Sequence, residues 1–344
     1  MSSHDFAIYM LVSLVFIFIF LIFFSNSKDS SKPDNTKIDL VYTWYNSTDE
    51  DTQEERQYFQ NILEPRKDSI VEERFTDIGE LKYSLRGVEK YMPWINKIFI
   101  VVADNQPLPD WLDTSNTKIR IVRHGEIFDS KYTNPTFNSV TIESALGNIK
   151  DLNEHFIYFN DDIFVNGEIG KSSFFYNKKP IIWFDGRKIN FNKKYKMIHD
   201  IMEKNALSVV KKYCDSNQKC INYNMIGTRI NHFPKALTKT LLKDYENEAG
   251  DRLNLTKNSK FRCNECMYTI SGASNLCFQK VNCFEGIIPS NYMINLVPKT
   301  NFKKVENSIK NVKFFCLNNS TKKHAKELIR ILEKNYPQKS KFEK

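Results

Sequence analysis

The chain has 344 residues, 41% hydrophobic and 13% aromatic, with a formal net charge of +9. That apolar content supports one large or two small cores and excludes a disordered protein. The positive charge is dispersed, with short runs at Lys193-Lys194, Lys211-Lys212 and 339–344, so no nucleic-acid partner is expected, whereas a basic body suits anionic substrates such as sugar nucleotides.

In chain order, residues 1–5 are a short tail and 6–24 are uncharged and apolar. At ~1.5 Å rise per residue such a helix crosses a bilayer core of roughly 30 Å. It lacks the basic start and small-residue cleavage site of a signal peptide, so an uncleaved transmembrane anchor is expected. Residues 25–37 are polar, contain Pro33 and read as a stalk. Lys28, Lys32 and Lys37 beyond the apolar run would keep the body in the cytosol by the positive-inside rule. Seven cysteines, with Cys214 near Cys220 and Cys277 near Cys283, and glycosylation sequons at Asn46 and Asn254 point instead to a secretory lumen. Cys263-x-x-Cys266 has no second Cys/His pair for zinc, which leaves a disulfide or two core thiols.

The body begins at residue 38. A strand is predicted over 38–44, then a helix over 50–63 capped by Asp49. Ile78, Leu81, Leu85 and Val88 recur at helical spacing over 77–91, and Pro93 ends that helix. Strands at 98–103 and 119–122, a helix over 139–149 and a strand over 156–159 follow. The alternation predicts an α/β fold, a mostly parallel sheet flanked by helices, Rossmann-like in kind. Residues 166–222 show no clear pattern and read as an insertion or lid. A helix over 233–245, a strand over 313–317 and a helix over 322–335 complete the body. With only 11 glycines the chain has neither GxGxxG nor GxxxxGK[ST], which excludes P-loop enzymes and dinucleotide dehydrogenases.

One polar interruption stands out. In Phe156-Ile157-Tyr158-Phe159-Asn160-Asp161-Asp162-Ile163-Phe164-Val165, three oxygen-bearing side chains break an apolar run at the expected end of a strand, where open α/β sheets collect ligands. The triplet reads two ways: as hard oxygen ligands for Mg²⁺ or Mn²⁺ bridging nucleotide phosphates, or as an Asn/Asp turn capping the next element.

Several segments together resemble the Stealth family, which includes the alpha/beta subunit of the eukaryotic GlcNAc-1-phosphotransferase and bacterial capsule enzymes that transfer hexose-1-phosphate. They are IDLVYTWYNSTDE from Ile38; RFTDIGELKYSLRGVEKYMPWINKIFIVVADNQPLPDWL from Arg74, continuing through NPTFNSVTIES to FIYFNDDIFV; NHFPKALTKTLLKDY from Asn231 with FRCNE from Phe261; and FFCLNNS from Phe314.

The resemblance implies a nucleotide-sugar transferase-like catalytic domain over 38–344 that uses a UDP-sugar donor, a glycan or glycoprotein acceptor and a divalent cation. Attack would fall on the β-phosphorus, with release of UMP, in a Golgi or other secretory membrane, with a single-pass type II anchor. Asp161 and Asp162 would hold the metal, with Asn160 and Asn318 as further oxygen ligands. Asp39, Thr43, Trp44, Asp49 and Arg74 would form the nucleotide-sugar pocket, with Arg86 forking on phosphate or on a site carboxylate. His232 matches a histidine expected as general base, Arg262 a clamp on the leaving phosphate oriented by Glu265, and Glu143 an orienting or sugar-binding acid. Relatives often have Asn-Asp where this chain has Asn318-Asn319, so an amide stands where an acid would ligate. Two rival functions remain: a metal-dependent glycosyltransferase releasing UDP, and a non-catalytic membrane-anchored surface protein.

Overall fold

A computed structural model describes residues 35–129, 134–217, 220–232, 234–286 and 293–344. The expected anchor at 6–24 and most of the stalk lie outside these residues; among the described residues, no helix is long and apolar enough to cross a membrane. Residues Lys37–Lys344 form one compact unit.

The sheet grows from short apolar runs. β1 (Ile38–Thr43), β2 (Ile98–Val102), β3 (Ile119–Arg123) and β4 (His155–Asn160) lie parallel. Past the Asp161-Asp162 turn come β5 (Ile163–Val165), β6 (Phe175–Tyr176), β7 (Lys179–Lys188), β8 (Thr228–Ile230) and β9 (Lys235–Thr238). β9 joins the main sheet antiparallel to β4, giving the order β3-β2-β1-β4-β9. β10 (Phe284–Gly286) pairs with β7, while β11 (Met293–Asn295) and β12 (Phe314–Asn318) form a three-stranded sheet with β5. The fold is thus the expected α/β type with a mostly parallel central sheet.

Period-2 alternation sends Leu40, Tyr42, Ile98, Ile100, Ile157 and Phe159 to one face, against Leu81, Leu85 and Val88 of the Glu80–Tyr91 helix. Val41, Phe99, Val101, Phe156, Tyr158 and Leu237 face the other way, toward the helices Ile198–Asn217, Lys239–Ala249 and Thr269–Gln279. Both faces are covered, as a parallel sheet requires.

Three expectations need correction. The helix predicted over 233–245 begins as strand β9, because Leu237 and its neighbours pair with β4; the helix starts only after Thr238, whose side chain accepts the Leu241 N–H. The stretch 166–222, expected to show no clear pattern, supplies β6, β7 and the Ile198–Asn217 helix, whose Met202, Ala206 and Val210 are fully buried. The Asn46 sequon is occupied by structure, since Asn46 is buried, its Oδ1 accepts the Thr48 N–H at 2.9 Å and its Nδ2 donates to the Pro107 carbonyl. Cysteines pair as Cys214–Cys220, Cys263–Cys266 and Cys277–Cys283, leaving Cys316 buried and free.

Close packing of the Glu80–Tyr91 helix on β5 depends on Gly87, where an added Cβ would sit 2.6 Å from the Val165 carbonyl oxygen. Gly87→Ala is expected to lower the urea midpoint, by ~1–3 kcal/mol of stability, because backbone cannot yield as a side-chain tip would. An unchanged midpoint would contradict that contact.

Candidate active site

Strands β1 and β4 end side by side, with Thr43 paired to Asn160. Because β9 runs antiparallel, it enters the sheet at this same edge with Lys235 opposite Tyr158, and His232 arrives just before it. β12 runs antiparallel to β5, placing Cys316 opposite Ile163 and letting the Leu317 N–H donate to the Asp162 carbonyl at 3.1 Å. The Asn160-Asp161-Asp162 turn is therefore ringed by the ends of β1, β9 and β12.

The acids here are poorly compensated. Asp162 Oδ2 accepts from the Cys316 thiol at 3.3 Å, while its Oδ1 is buried without a hydrogen-bond partner among the described residues. Burial pushes the Asp162 carboxyl up to about 6, against the opposing pull of Cys316 and Lys235. Asp161 is raised well above the usual carboxylate range, first by burial and then by the charges of Asp162 and Asp77. Burial, Asp161 and Asp77 raise Glu80 in the same way, although its Oε2 accepts the Ile78 N–H at 2.6 Å. Asp77 is fixed by the Trp44 indole N–H at 3.0 Å and the Gly79 N–H at 2.7 Å.

A group of bases is depressed in the matching sense. Burial, then the charges of Lys235, His199 and Arg262, bring His232 down to about 3. Burial with Arg262, Arg229 and Arg74 brings His199 down to about 4, and burial with Arg262 brings Arg74 down to about 10. Arg262 donates to Ser139 Oγ at 2.8 Å and to the Tyr268 hydroxyl at 3.3 Å. Glu143, raised by burial against the pull of Lys235 and Arg262, accepts from the Tyr158 hydroxyl at 3.3 Å, and Tyr158 pairs with Thr43 Oγ1 at 2.9 Å. Raised acids lack a cation and depressed bases lack an anion. A ligand combining a divalent cation with phosphates satisfies both needs.

A metal donor set is also present. Asp162, His232 and Cys316 each offer an atom, all within 4.8 Å of one another, and the orphaned Asp162 Oδ1 lacks a positive partner. Burial and Asp162 raise the Cys316 thiol, which makes it a hydrogen-bond donor to Asp162 rather than a ligand for a hard cation. The residues fit a divalent cation on the Asp162 carboxylate with Asp161 beside it.

The expected site residues divide. Thr43, Trp44, Asn160, Asp161, Asp162, Glu143, His232, Arg262 and Arg74 gather at or around this edge through the contacts above. Asp39 does not belong to a nucleotide pocket: it lies at the opposite, amino end of β1, fully buried and saturated by Asn96 Nδ2, the Lys97 N–H and both nitrogens of Asn153. Arg86 is locked to Glu343 by a two-pronged ion pair at 2.7 and 2.6 Å and donates to the Tyr336 carbonyl, leaving no fork for phosphate. Asp49 is spent as the helix cap, accepting from the Thr52 N–H at 3.0 Å. Glu265 is exposed and does not orient Arg262, a task taken by Ser139 and Tyr268. Asn318 donates to Asn295 Oδ1 at 2.8 Å, and Cys316, two residues earlier, is the β12 side chain that reaches Asp162. Sequence reasoning missed Asp77, Glu80, His199, Lys235 and Cys316. Asp77 and Glu80 lie in RFTDIGELKYS, Lys235 in NHFPKALTK and Cys316 in FFCLNNS; Lys235 and Cys316 reach the site only through strand register.

A family model described as Stealth protein CR2, conserved region 2, matches residues 74–182. Over 343 aligned residues the chain is 31% identical to the capsular polysaccharide phosphotransferase WcwK of Streptococcus pneumoniae, covering 90% of this chain and 98% of that one. The chain belongs to the Stealth family. It is also 46% identical over 142 residues to the capsular polysaccharide phosphotransferase fcs1 of Haemophilus influenzae, which covers 40% of this chain and 37% of that relative. Among solved structures, the galactosyltransferase LgtC in complex with donor and acceptor sugar analogues shares 9% identity at a TM-score of 0.43, over 86% of this chain and 96% of LgtC. In this Stealth chain the region matched by the family model contains Arg74, Asp77, Glu80, Glu143, Asp161 and Asp162, whereas His232, Lys235, Arg262 and Cys316 lie beyond it.

Unpaired buried carboxylates destabilise a fold that has been stripped of metal. Asp161→Asn is expected to melt at or above the wild-type temperature in EDTA. Adding Mn²⁺ should raise the melting temperature of the wild type while leaving Asp162→Asn unmoved. Equal Mn²⁺ stabilisation of Asp162→Asn would remove Asp162 from the metal site.

Proposed function

We propose that this Stealth chain transfers sugar-1-phosphate from a UDP-sugar to a hydroxyl of a glycan or glycoprotein acceptor and releases UMP, with GlcNAc as the default sugar. Family membership makes the chain a sugar phosphotransferase. The observation that carries the finer reading is the opposition, across one strand-end site, of undercompensated acids at Asp161 and Asp162 and depressed bases at His232, His199 and Arg74, with Arg262 beside them. Reaction at phosphorus needs charge neutralisation and in-line placement more than covalent assistance.

Mg²⁺ or Mn²⁺ held by Asp161 and Asp162 would neutralise the donor diphosphate. His232 keeps a free lone pair, because burial and neighbouring cations disfavour its protonated form; bound phosphates would raise its proton affinity and let it take the acceptor hydroxyl proton. The acceptor oxygen forms a new bond to the β-phosphorus as the bond from that phosphorus to the bridging oxygen breaks, and UMP departs with that oxygen. Arg262, steadied by Ser139 and Tyr268, clamps the departing phosphate. Glu143, tied through Tyr158 to Thr43, acts on the site as a negative neighbour of Lys235 and Arg262. We further place the body in the lumen of the secretory pathway, in the Golgi, behind a type II anchor at 6–24; three disulfides support an oxidising compartment.

The test is incubation of the purified protein with a panel of UDP-sugars, a glycan acceptor and Mg²⁺ or Mn²⁺. UMP together with a new phosphodiester is expected, and the Asp161→Ala/Asp162→Ala double variant should lose at least ~10²-fold in rate. UDP without a phosphodiester would show a conventional glycosyltransferase instead.

A further inference from the structure

We propose that Lys235 is a phosphate-binding residue of the donor site, a role that rests on the sugar-phosphate transfer reading above. Lys235 opens β9, and its pairing with Tyr158 fixes it at the edge where β1 and β4 end. Its ammonium lies 5.3 Å from the centre of the Tyr158 ring, and the residue lines a small cleft with Trp183, Asn231 and Ser274.

The other cations nearby are already anchored by hydrogen bonds. Arg262 donates to Ser139 and Tyr268, Arg74 to the Asp68 carbonyl at 3.2 Å, and Arg229 to Asp200 at 2.5 Å. The Lys235 ammonium, by contrast, has no hydrogen-bond or ion-pair partner among the described residues, although its backbone pairs with β4. Burial lowers its ammonium below the usual lysine range, against the opposing pull of Glu143, Asp162, Cys316 and Glu203. Lys235 is half-buried, and an ammonium so placed without a contact partner weighs against the folded state; such groups persist where a ligand supplies the partner. The chain also lacks a glycine-rich loop whose backbone N–H groups would cradle phosphate, so side chains must supply that charge. A lysine suits the task as a compact cation with three donors that follows the phosphate as it moves. Sequence reading passed over it because it sits in NHFPKALTK beside the more conspicuous His232.

A structural alternative is a lysine held in place by the Tyr158 ring. The two roles differ in stability. Lys235→Met keeps length and suits burial, so a ligand-directed ammonium predicts an equal or higher melting temperature, whereas a structural cation–ring contact predicts a lower one.

The experiment is calorimetric titration of the full chain with UDP in the presence of Mn²⁺, alongside thermal melts, for wild type, Lys235→Met and Lys235→Arg. The expected result is at least a tenfold weaker Kd for Lys235→Met with no loss of melting temperature, and substantial recovery in Lys235→Arg. Lys235→Gln replaces Lys235→Met in the same comparison if the methionine variant does not fold. UDP binding within twofold of wild type, or a loss of binding that tracks a lower melting temperature, would overturn the role of Lys235 alone. A wild type that binds no UDP would overturn the donor reading and this role with it.

Discussion

Two adjacent carboxylates, Asp161 and Asp162, are held at the end of an apolar sheet without enough positive charge to satisfy them, and the site is organised by that constraint. Burial and then the charge of Asp162 raise the cost of ionising Asp161, since like charges in a shielded place cannot both ionise cheaply. Cys316 satisfies only one oxygen of Asp162 and leaves the other orphaned. A folded protein tolerates such an arrangement when a bound cation completes it, so the same feature that weakens the stripped protein would suit it to the proposed divalent cation.

The fold explains why the turn occupies that position. Continuous apolar strands covered on both faces force the chain to turn at the strand ends, and β4 turns through Asn160-Asp161-Asp162 into β5, which belongs to a second sheet. The acids thus sit at the seam between the parallel sheet and the β11-β12-β5 sheet. The Glu80–Tyr91 helix packs its Gly87 against Val165 just beyond the turn and brings Glu80 and Asp77 to the acidic side. The antiparallel entry of β9 brings His232 and Lys235 to the other side. Acidic and basic walls therefore come from separate stretches of chain, and the rigid sheet holds them at fixed spacing.

Local pattern accounts for what was legible in the sequence. The runs in β1, β2 and β4 are apolar on both faces, so their strand character and parallel arrangement follow from composition and the intervening helices. The Asp161-Asp162 break was visible because polar residues interrupt such a run. The Thr269–Gln279 helix was missed because every one of its residues is buried, leaving no polar stripe to mark a helical period. Arg86 was misassigned because its partner, Glu343, is remote in sequence and no local pattern links them. Asp39 stood in the right motif at the wrong end of the strand, a distinction that only register resolves. Lys235 and Cys316 were missed for the same reason, since pairing across β4–β9 and β5–β12 is what brings them to Asp162.

The central claim is that bond cleavage occurs at phosphorus while the link from sugar to phosphate stays intact. It is tested most directly with a UDP-sugar carrying ¹⁸O in the oxygen between the anomeric carbon and the β-phosphorus, followed by mass spectrometry of the products. Phosphosugar transfer predicts that the label appears in the phosphodiester of the acceptor and that the released UMP is unlabelled. Label recovered in released UDP, with none in the acceptor, would contradict the account.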